Sequence, residues 1–124
     1  MNPVYLSFFL ITAGINSVAQ LLLKRGSFDL REIFAANQSW PMRIIKILLN
    51  PFVFAAVVFL GTGMLAWIWL ISKVELSKAY PVNIALTIVI TSFVSIALFN
   101  ESLTLQKLMG TGVLILGLWL ILGS

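Results

Sequence analysis

The sequence predicts an all-α membrane protein, a bundle of four transmembrane helices, and three observations indicate it. The chain is 60% hydrophobic and 10% charged, whereas a soluble domain is roughly 45–50% apolar and about 25% charged. Four segments are apolar over about 20 residues, the length that crosses a bilayer. The links after the second and third segments are short, which makes neighbouring helices antiparallel. The solvent around most of this chain is therefore expected to be lipid.

The helices are expected to follow one another as a single transmembrane domain over residues 1–124. Helices 1 to 4 are predicted at about residues 3–23, 51–71, 77–99 and 105–122. Helix 1 is expected to end at Lys24-Arg25-Gly26, while Asn50 suits the N-cap of helix 2 and Pro51 its first position. No Lys or Arg precedes the N-terminal apolar run, so we expect a membrane helix there rather than a cleaved signal peptide.

The connection between helices 1 and 2, about residues 24–50, is longer than the others. The stretch from Asp29 to Glu32 resembles a capping box that opens a short helix. Arg43 and Lys46 alternate with isoleucines and a leucine, so this stretch either lies in the membrane interface or lengthens helix 2. Three tryptophans are expected near the level of the lipid headgroups: Trp40, Trp67 and Trp69.

Basic residues are concentrated on one side of the predicted bundle. The first and third connections carry Lys24, Arg25, Arg31, Arg43, Lys46 and Lys107, and the opposite side carries Lys73 and Lys78. Cytoplasmic loops of membrane proteins are enriched in Lys and Arg. The first and third connections are therefore predicted to be cytoplasmic. The net charge of +4 is explained by this topology and does not require a nucleic-acid partner.

The residue types that are missing exclude several kinds of chemistry. The chain has no Cys and no His, so thiolate catalysis and imidazole ligands are excluded. Its acids, Asp29, Glu32, Glu75 and Glu101, all fall in connections or at helix ends. We predict no metal site, no cofactor and no enzymatic activity, because no nucleophile–base pair is present. Glu101 is expected to cap or tether the start of helix 4.

Polar side chains form one stripe on helix 1 and another on helix 3. On helix 1 they recur every four residues: Thr12, Asn16, Gln20 and Lys24. On helix 3, Tyr80, Asn83, Thr87 and Thr91 fall within an arc of about 80°, and Ser95 extends the row. Such residues often bond membrane helices together, the role expected for Thr12, Thr91 and Ser95. The candidate substrate-binding residues are Asn16, Gln20, Lys24, Tyr80, Asn83 and Thr87.

Small residues on helix 4 predict a close helix contact. Gly110 and Gly117 are seven residues apart on one face, and small residues let backbones approach in membranes. Their partner is either helix 2, through Gly61 and Gly63, or a second chain. Four helices are few to enclose a polar path, so a homo- or heterodimer is expected.

Several short motifs together resemble a known superfamily. They are Gln20 to Lys24 (QLLLK), Ala79-Tyr80-Pro81, Phe99 to Leu103 (FNESL), Gln106 to Gly110, and Leu114 to Gly117 (LILG). In this order they resemble the drug/metabolite transporter superfamily and its four-helix small multidrug resistance and EamA-like class, which implies a small-multidrug-resistance-like bundle. Within that class the chain is most similar to the subunits that flip aminoarabinose-phosphoundecaprenol across a bacterial inner membrane.

The chain departs from the multidrug exporters of this class at two positions. They carry a membrane Glu where this chain has Asn16, and a Trp where it has Asn83, while their Tyr matches Tyr80. Without that carboxylate, proton-coupled drug export is disfavoured. The resemblance implies translocation of a polyprenyl-phosphate-linked sugar or related glycolipid, with Lys24 and Lys78 meeting phosphate at the interfaces.

Two other functions stay open from the sequence. One is a small multidrug or polyamine exporter subunit whose partner chain supplies the carboxylate. The other is a non-transporting accessory subunit of a membrane glycosyltransferase.

Overall fold

The computed structural model describes residues 2–124, which form five α-helices and no strand. The helices are α1 (Pro3–Ala35), α2 (Trp40–Leu49), α3 (Pro51–Ile71), α4 (Leu76–Phe99) and α5 (Leu105–Leu122). Four of them, α1, α3, α4 and α5, are long and apolar enough to cross a membrane, and they correspond to helices 1 to 4 of the sequence analysis. The predicted fold class, a four-helix membrane bundle, is confirmed.

The predicted end of the first helix is wrong, since α1 continues past Lys24-Arg25-Gly26 to Ala35. Gly26 lies inside the helix and is buried against the start of α3. A Cβ placed on it would lie 3.1–3.2 Å from atoms of Asn50, Phe52 and Val53. This glycine therefore permits a close helix contact rather than ending the helix. The separate helix predicted from Asp29 is likewise wrong, because Asp29 lies within α1.

The connection between α1 and α3 is a short helix of its own. Asn50 is extended, with φ −66° and ψ 126°, and its side-chain oxygen accepts from the backbone N–H groups of Phe52 and Val53. This confirms Asn50 as the N-cap, and it shows that residues 43–48 do not lengthen α3. The Arg43 guanidinium, on α2, donates to the Ala36 carbonyl at 2.7 Å, which ties α2 to the end of α1.

The core of the bundle lies where α1, α3 and α4 meet. Phe9, Leu70, Ala79 and Val82 are fully buried there. α1 packs against both α3 and α4, whereas α5 has α4 as its one backbone neighbour among the described helices. No residue of α5 is buried, although Leu118, Ile121 and Leu122 are partly buried and pack against the core. The large apolar side chains left exposed are those that lipid would cover.

The link between α4 and α5 turns on a left-handed residue. Asn100 has φ 52° and ψ 37° at the C-terminus of α4. Glycine adopts this conformation freely, Asn tolerates it, and β-branched residues do not. We expect Asn100→Val to lower the free energy of unfolding by about 1–2 kcal/mol, and Asn100→Gly to preserve it. Unfolding in mixed detergent micelles measures both, and equal stability of the two variants would contradict this assignment.

Candidate functional site

A small cavity opens in the middle of the bundle between α1, α3 and α4. Its volume is about 250 Å³, and its lining residues are Asn16, Leu60, Gly63, Met64, Trp67, Tyr80 and Asn83. We call it the amide cavity. It brings together three residues that the sequence singled out on two different helices, Asn16, Tyr80 and Asn83. None of its lining residues carries a charge.

Asn83 is held in place by a buried hydrogen bond between α1 and α4. The Thr12 hydroxyl donates to Asn83 Oδ1 at 2.9 Å, and Asn83 is 8% exposed. This confirms the predicted role of Thr12 as an interhelical hydrogen-bonding residue. Besides the oxygen that lies against Thr12, the Asn83 amide carries two N–H donors that can bond a ligand in the cavity.

Asn16 faces α3 at the point where that helix has a glycine. A Cβ placed on Gly63 would lie 3.0 Å from Ile15 Cγ2 and 3.5 Å from Asn16 Oδ1. Gly63 therefore lets α3 approach α1 and leaves room beside the Asn16 amide. The sequence analysis missed this role, although an isolated glycine inside an apolar helix usually has a packing reason.

Two aromatic rings form the side of the cavity nearest the α3–α4 turn. The ring centres of Trp67 and Tyr80 are 6.5 Å apart, with planes inclined by 58°. Trp67 lines the cavity because α3 turns it toward α4, and its level relative to the lipid headgroups stays a prediction. No signal in the sequence indicates this pairing, because Trp67 and Tyr80 meet only through tertiary packing.

A second, larger groove adjoins the amide cavity and shares Trp67 and Tyr80 with it. This groove has a volume of about 600 Å³ and is otherwise lined by Ile71, Leu76, Ser77 and Pro81. Pro81 lies inside α4 and has no N–H, so the carbonyl of Ser77 lacks its helical partner. Polar side chains therefore line the two spaces from Asn16, in the middle of the bundle, to Ser77, near the α3–α4 turn.

Three of the predicted binding residues lie outside the amide cavity. Gln20 and Lys24 are exposed, because a four-residue step turns a helix by about 400°, so the stripe on α1 drifts by about 40° at each step. The Lys24 ammonium lies 5.5 Å from the centre of the Phe28 ring. The Thr87 hydroxyl donates to the Asn83 backbone carbonyl at 2.8 Å, so Thr87 contacts the backbone of Asn83 and not the cavity.

The helix-end residues are engaged locally. Glu101 accepts from the Ser95 hydroxyl at 3.1 Å, so it tethers the end of α4 rather than capping α5. Thr104 caps α5 by accepting from the Lys107 backbone N–H at 3.2 Å. Lys78 donates to the carbonyl of Ser124, and this contact joins the start of α4 to the end of α5.

The glycines of α5 have open space beside them among the described residues, and Gly110 lines a groove between α5 and α4. A Cβ on Gly110 or Gly117 would meet no atom within 4 Å. Packing of α5 on α3 through Gly61 and Gly63 is therefore wrong: Gly63 contacts α1, and α3 and α5 are not neighbours. Within residues 2–124 no group of three or more His, Cys, Asp and Glu side chains is placed to hold a metal ion.

Comparison with known proteins finds relatives over most of the chain. The "Probable 4-amino-4-deoxy-L-arabinose-phosphoundecaprenol flippase subunit ArnE" of Aeromonas salmonicida (strain A449) is 37% identical over 83% of this chain and 90% of its own length. The corresponding subunit ArnF of Proteus mirabilis (strain HI4320) is 32% identical over 89% of this chain and 85% of its own. No family model and no solved structure matches the chain.

The relatives include both kinds of subunit. ArnF of Yersinia enterocolitica serotype O:8 is 30% identical over 85% of this chain and 83% of its own length. Similarity of this degree extends over most of each sequence. The chain therefore belongs to the family of ArnE and ArnF flippase subunits.

Proposed function

We propose that this chain is one subunit of a transporter that moves a polyprenyl-phosphate-linked sugar across the bilayer, with the sugar passing through the amide cavity. The observation that carries the proposal is the meeting of Asn16, Tyr80 and Asn83 in one uncharged cavity of an otherwise apolar bundle. The names of the relatives supply the class of substrate.

The cavity offers what a sugar loses when it leaves water. Each unsatisfied polar group costs several kcal/mol in hydrocarbon. The amides of Asn16 and Asn83 carry both donors and acceptors, so they can bond hydroxyl groups of either orientation. The ring faces of Trp67 and Tyr80 can pack against the sugar, and they attract an amine in its protonated form. The lipid chain stays in the bilayer beside the protein.

The basic residues support an orientation for the chain. Lys24, Arg25 and Arg31 lie on the part of α1 that continues past the predicted membrane span, and Arg43 and Lys46 lie on α2. This excess of Lys and Arg favours a cytoplasmic position for their end of the bundle. In this orientation the Trp67 and Tyr80 side of the amide cavity, nearest the α3–α4 turn, is directed toward the outer surface.

A partner chain packs on α5 in this proposal. The relatives are named as subunits, and a Cβ on Gly110 or Gly117 of α5 would meet no atom within 4 Å. Small residues of this kind allow close backbone approach in membranes. The partner is either a second copy of this chain or a paralogous subunit.

Leucine at both Gly110 and Gly117 is expected to weaken this association, because the new side chains hold the two backbones apart. Co-purification of differently tagged copies, or of the paralogous subunit, measures it. Gly61→Leu is the matched control, since Gly61 also has open space around it but lies on α3. Equal association of the double variant and the parent would rule out this face.

The function is tested in reconstituted liposomes. The chain, with and without its paralogous subunit, is incorporated with a polyprenyl-phosphate aminosugar, and the fraction of sugar reaching the opposite leaflet is followed with an impermeant amine reagent. We expect transport of the lipid-linked sugar and no protein-dependent movement of a lipophilic cation. Cation movement without sugar transport would favour an exporter, and movement of neither would favour an accessory subunit.

A further inference from the structure

A second groove lies at the basic end of the bundle and is apolar except for one arginine. Its volume is about 360 Å³, and it is lined by Val18, Leu21, Leu22, Arg25, Phe52, Leu98 and Phe99. These residues come from the middle of α1, the start of α3 and the end of α4. We call it the Arg25 groove.

The Arg25 groove is separate from the amide cavity. Asn16 and Arg25 are nine residues apart on α1, so at about 100° per residue their side chains leave the helix on opposite sides. Along α3 and α4 the two spaces also lie at different ends: Phe52 and Phe99 line the groove, whereas Trp67 and Tyr80 line the cavity. The proposed sugar path does not account for this groove.

Cations border the groove at the basic end of the bundle. The Arg25 guanidinium lies 4.9 Å from the centre of the Phe52 ring. Lys24 and Arg31 lie 5.5 and 4.8 Å from the centre of the Phe28 ring. Phe28 in turn makes an edge contact with Phe99, which lines the groove, at 5.9 Å between ring centres. Three cations thus lie over aromatic rings at or next to the groove, and Arg25 is also ion-paired with Asp29, with 3.3 Å between Nη1 and Oδ1.

We propose that the Arg25 groove binds the first isoprene units of a polyprenyl phosphate, with the phosphate at the Arg25 guanidinium. This inference rests on the proposed function, because it supplies the binding place for the lipid part of the same substrate. Charge complementarity supports it: the cationic end of the groove matches a phosphate joined directly to a hydrocarbon chain. Arginine binds phosphate through paired N–H groups.

The lining distinguishes this ligand from an ordinary phospholipid. A phospholipid carries a glycerol and two ester carbonyls between its phosphate and its tails. Arg25 is the one residue of the lining with a polar side chain, so those esters would have no side-chain donor beside the hydrocarbon part. A polyprenyl phosphate has no such polar spacer between its phosphate and its hydrocarbon chain.

Asp29 orients the Arg25 guanidinium and leaves most of its N–H groups available to a ligand. Arg25 Nη1 donates to Asp29 Oδ1 at 3.3 Å, which uses one of the five N–H groups of the side chain. Asp29 lies about one turn and Glu32 about two turns further along α1 than Arg25, so both acids are displaced from the groove toward the end of the helix. A phosphate therefore approaches Arg25 from the groove side.

The test measures saturable binding of undecaprenyl phosphate to the full chain in phosphatidylcholine nanodiscs. Arg25→Gln removes the cation, and Leu22→Trp fills the groove. The matched controls are Lys73→Gln at the opposite end of the bundle and Leu65→Trp, which faces outward on α3 with 68% exposure. Thermal unfolding of each variant shows whether it remains folded. Undecaprenol and phosphatidylglycerol serve as comparison lipids.

We expect Arg25→Gln to weaken binding by about tenfold or more, the effect of a lost charge-assisted bond. Leu22→Trp should weaken it by a similar factor because the indole occupies the space of the isoprene units, and both controls should stay close to the parent. Undecaprenol should bind more weakly than its phosphate. If the parent binds the phosphate and both variants bind it equally well, the groove assignment is wrong and the proposed function stands. Equal binding of phosphatidylglycerol also overturns it. If the parent binds no undecaprenyl phosphate, the proposed function fails as well.

Discussion

Asn16→Leu is expected to reduce transport of the lipid-linked sugar by roughly tenfold or more while the bundle remains folded. A polar group that loses its partner in a desolvated site costs about 1–3 kcal/mol, and each 1.4 kcal/mol is about a factor of ten. Asn16 is only partly buried and lines the amide cavity. Leucine has a similar size and suits a membrane helix, so the loss should appear in transport and not in stability.

Gln20→Leu is the matched control for this prediction. Gln20 is also an amide on α1, one turn further along, but it is exposed and lies outside the cavity lining. Its replacement is expected to leave transport close to that of the parent. The initial rate of sugar translocation in liposomes measures both variants. An equal loss in the two would mean that general polarity of α1 matters rather than the cavity.

Gly26→Leu is expected to lower the free energy of unfolding by about 1–3 kcal/mol or more, the usual cost of overpacking. A Cβ at this position would already lie 3.1 Å from Val53 Cγ2 and 3.2 Å from Asn50 Oδ1. Asn50 Oδ1 is the acceptor that caps α3. A larger side chain therefore forces the start of α3 away from α1 and disturbs the cap as well.

Gly14→Leu gives the comparison on the same helix. A Cβ on Gly14 meets nothing within 4 Å, so the added side chain has open space and should not reduce stability. Unfolding by increasing SDS fraction in mixed micelles measures the two variants against the parent. If Gly26→Leu is as stable as Gly14→Leu, the close approach of α1 and α3 at Gly26 does not exist.

The sequence predicts helix boundaries well where the capping chemistry is unambiguous. Asn50 followed by Pro51 marks the start of α3, because an amide cap and a first-turn proline act locally. The end of α1 is not predictable in this way. Gly26 after two basic residues has the composition of a helix C-terminus. A glycine is needed there because α1 lies close to residues 50–53, a contact that only the tertiary structure reveals.

The candidate site is predicted in part for a similar reason. The stripe on α4 combines steps of three and four residues and stays on one face, so Tyr80 and Asn83 remain together. The stripe on α1 uses steps of four alone and drifts away, which leaves Asn16 in the cavity and carries Lys24 out of it. Gly63 and Trp67 enter the site from α3, whose sequence shows no polar stripe at all.

The chemistry of the cavity indicates recognition by hydrogen bonds rather than by charge. Its lining contains two amides, a phenol and an indole, while the acids of the chain lie on the far part of α1 and next to the ends of α4. Such a lining favours a hydroxyl-rich group, and an amine on that group would meet ring faces and amide oxygens rather than a carboxylate. A permanently charged drug would find no counter-charge among these side chains.

The most direct test of the central claim is cysteine accessibility at position 16, because the chain has no cysteine of its own. Asn16→Cys is treated in membranes with a small, water-soluble thiol reagent, with and without the polyprenyl-phosphate aminosugar. Leu65→Cys, at a position 68% exposed on α3, is the control. We predict that Asn16→Cys reacts, that the substrate slows its reaction, and that Leu65→Cys is unreactive throughout. An Asn16→Cys variant that does not react, or a Leu65→Cys variant that reacts as fast as it, would contradict a water-accessible sugar path through the amide cavity.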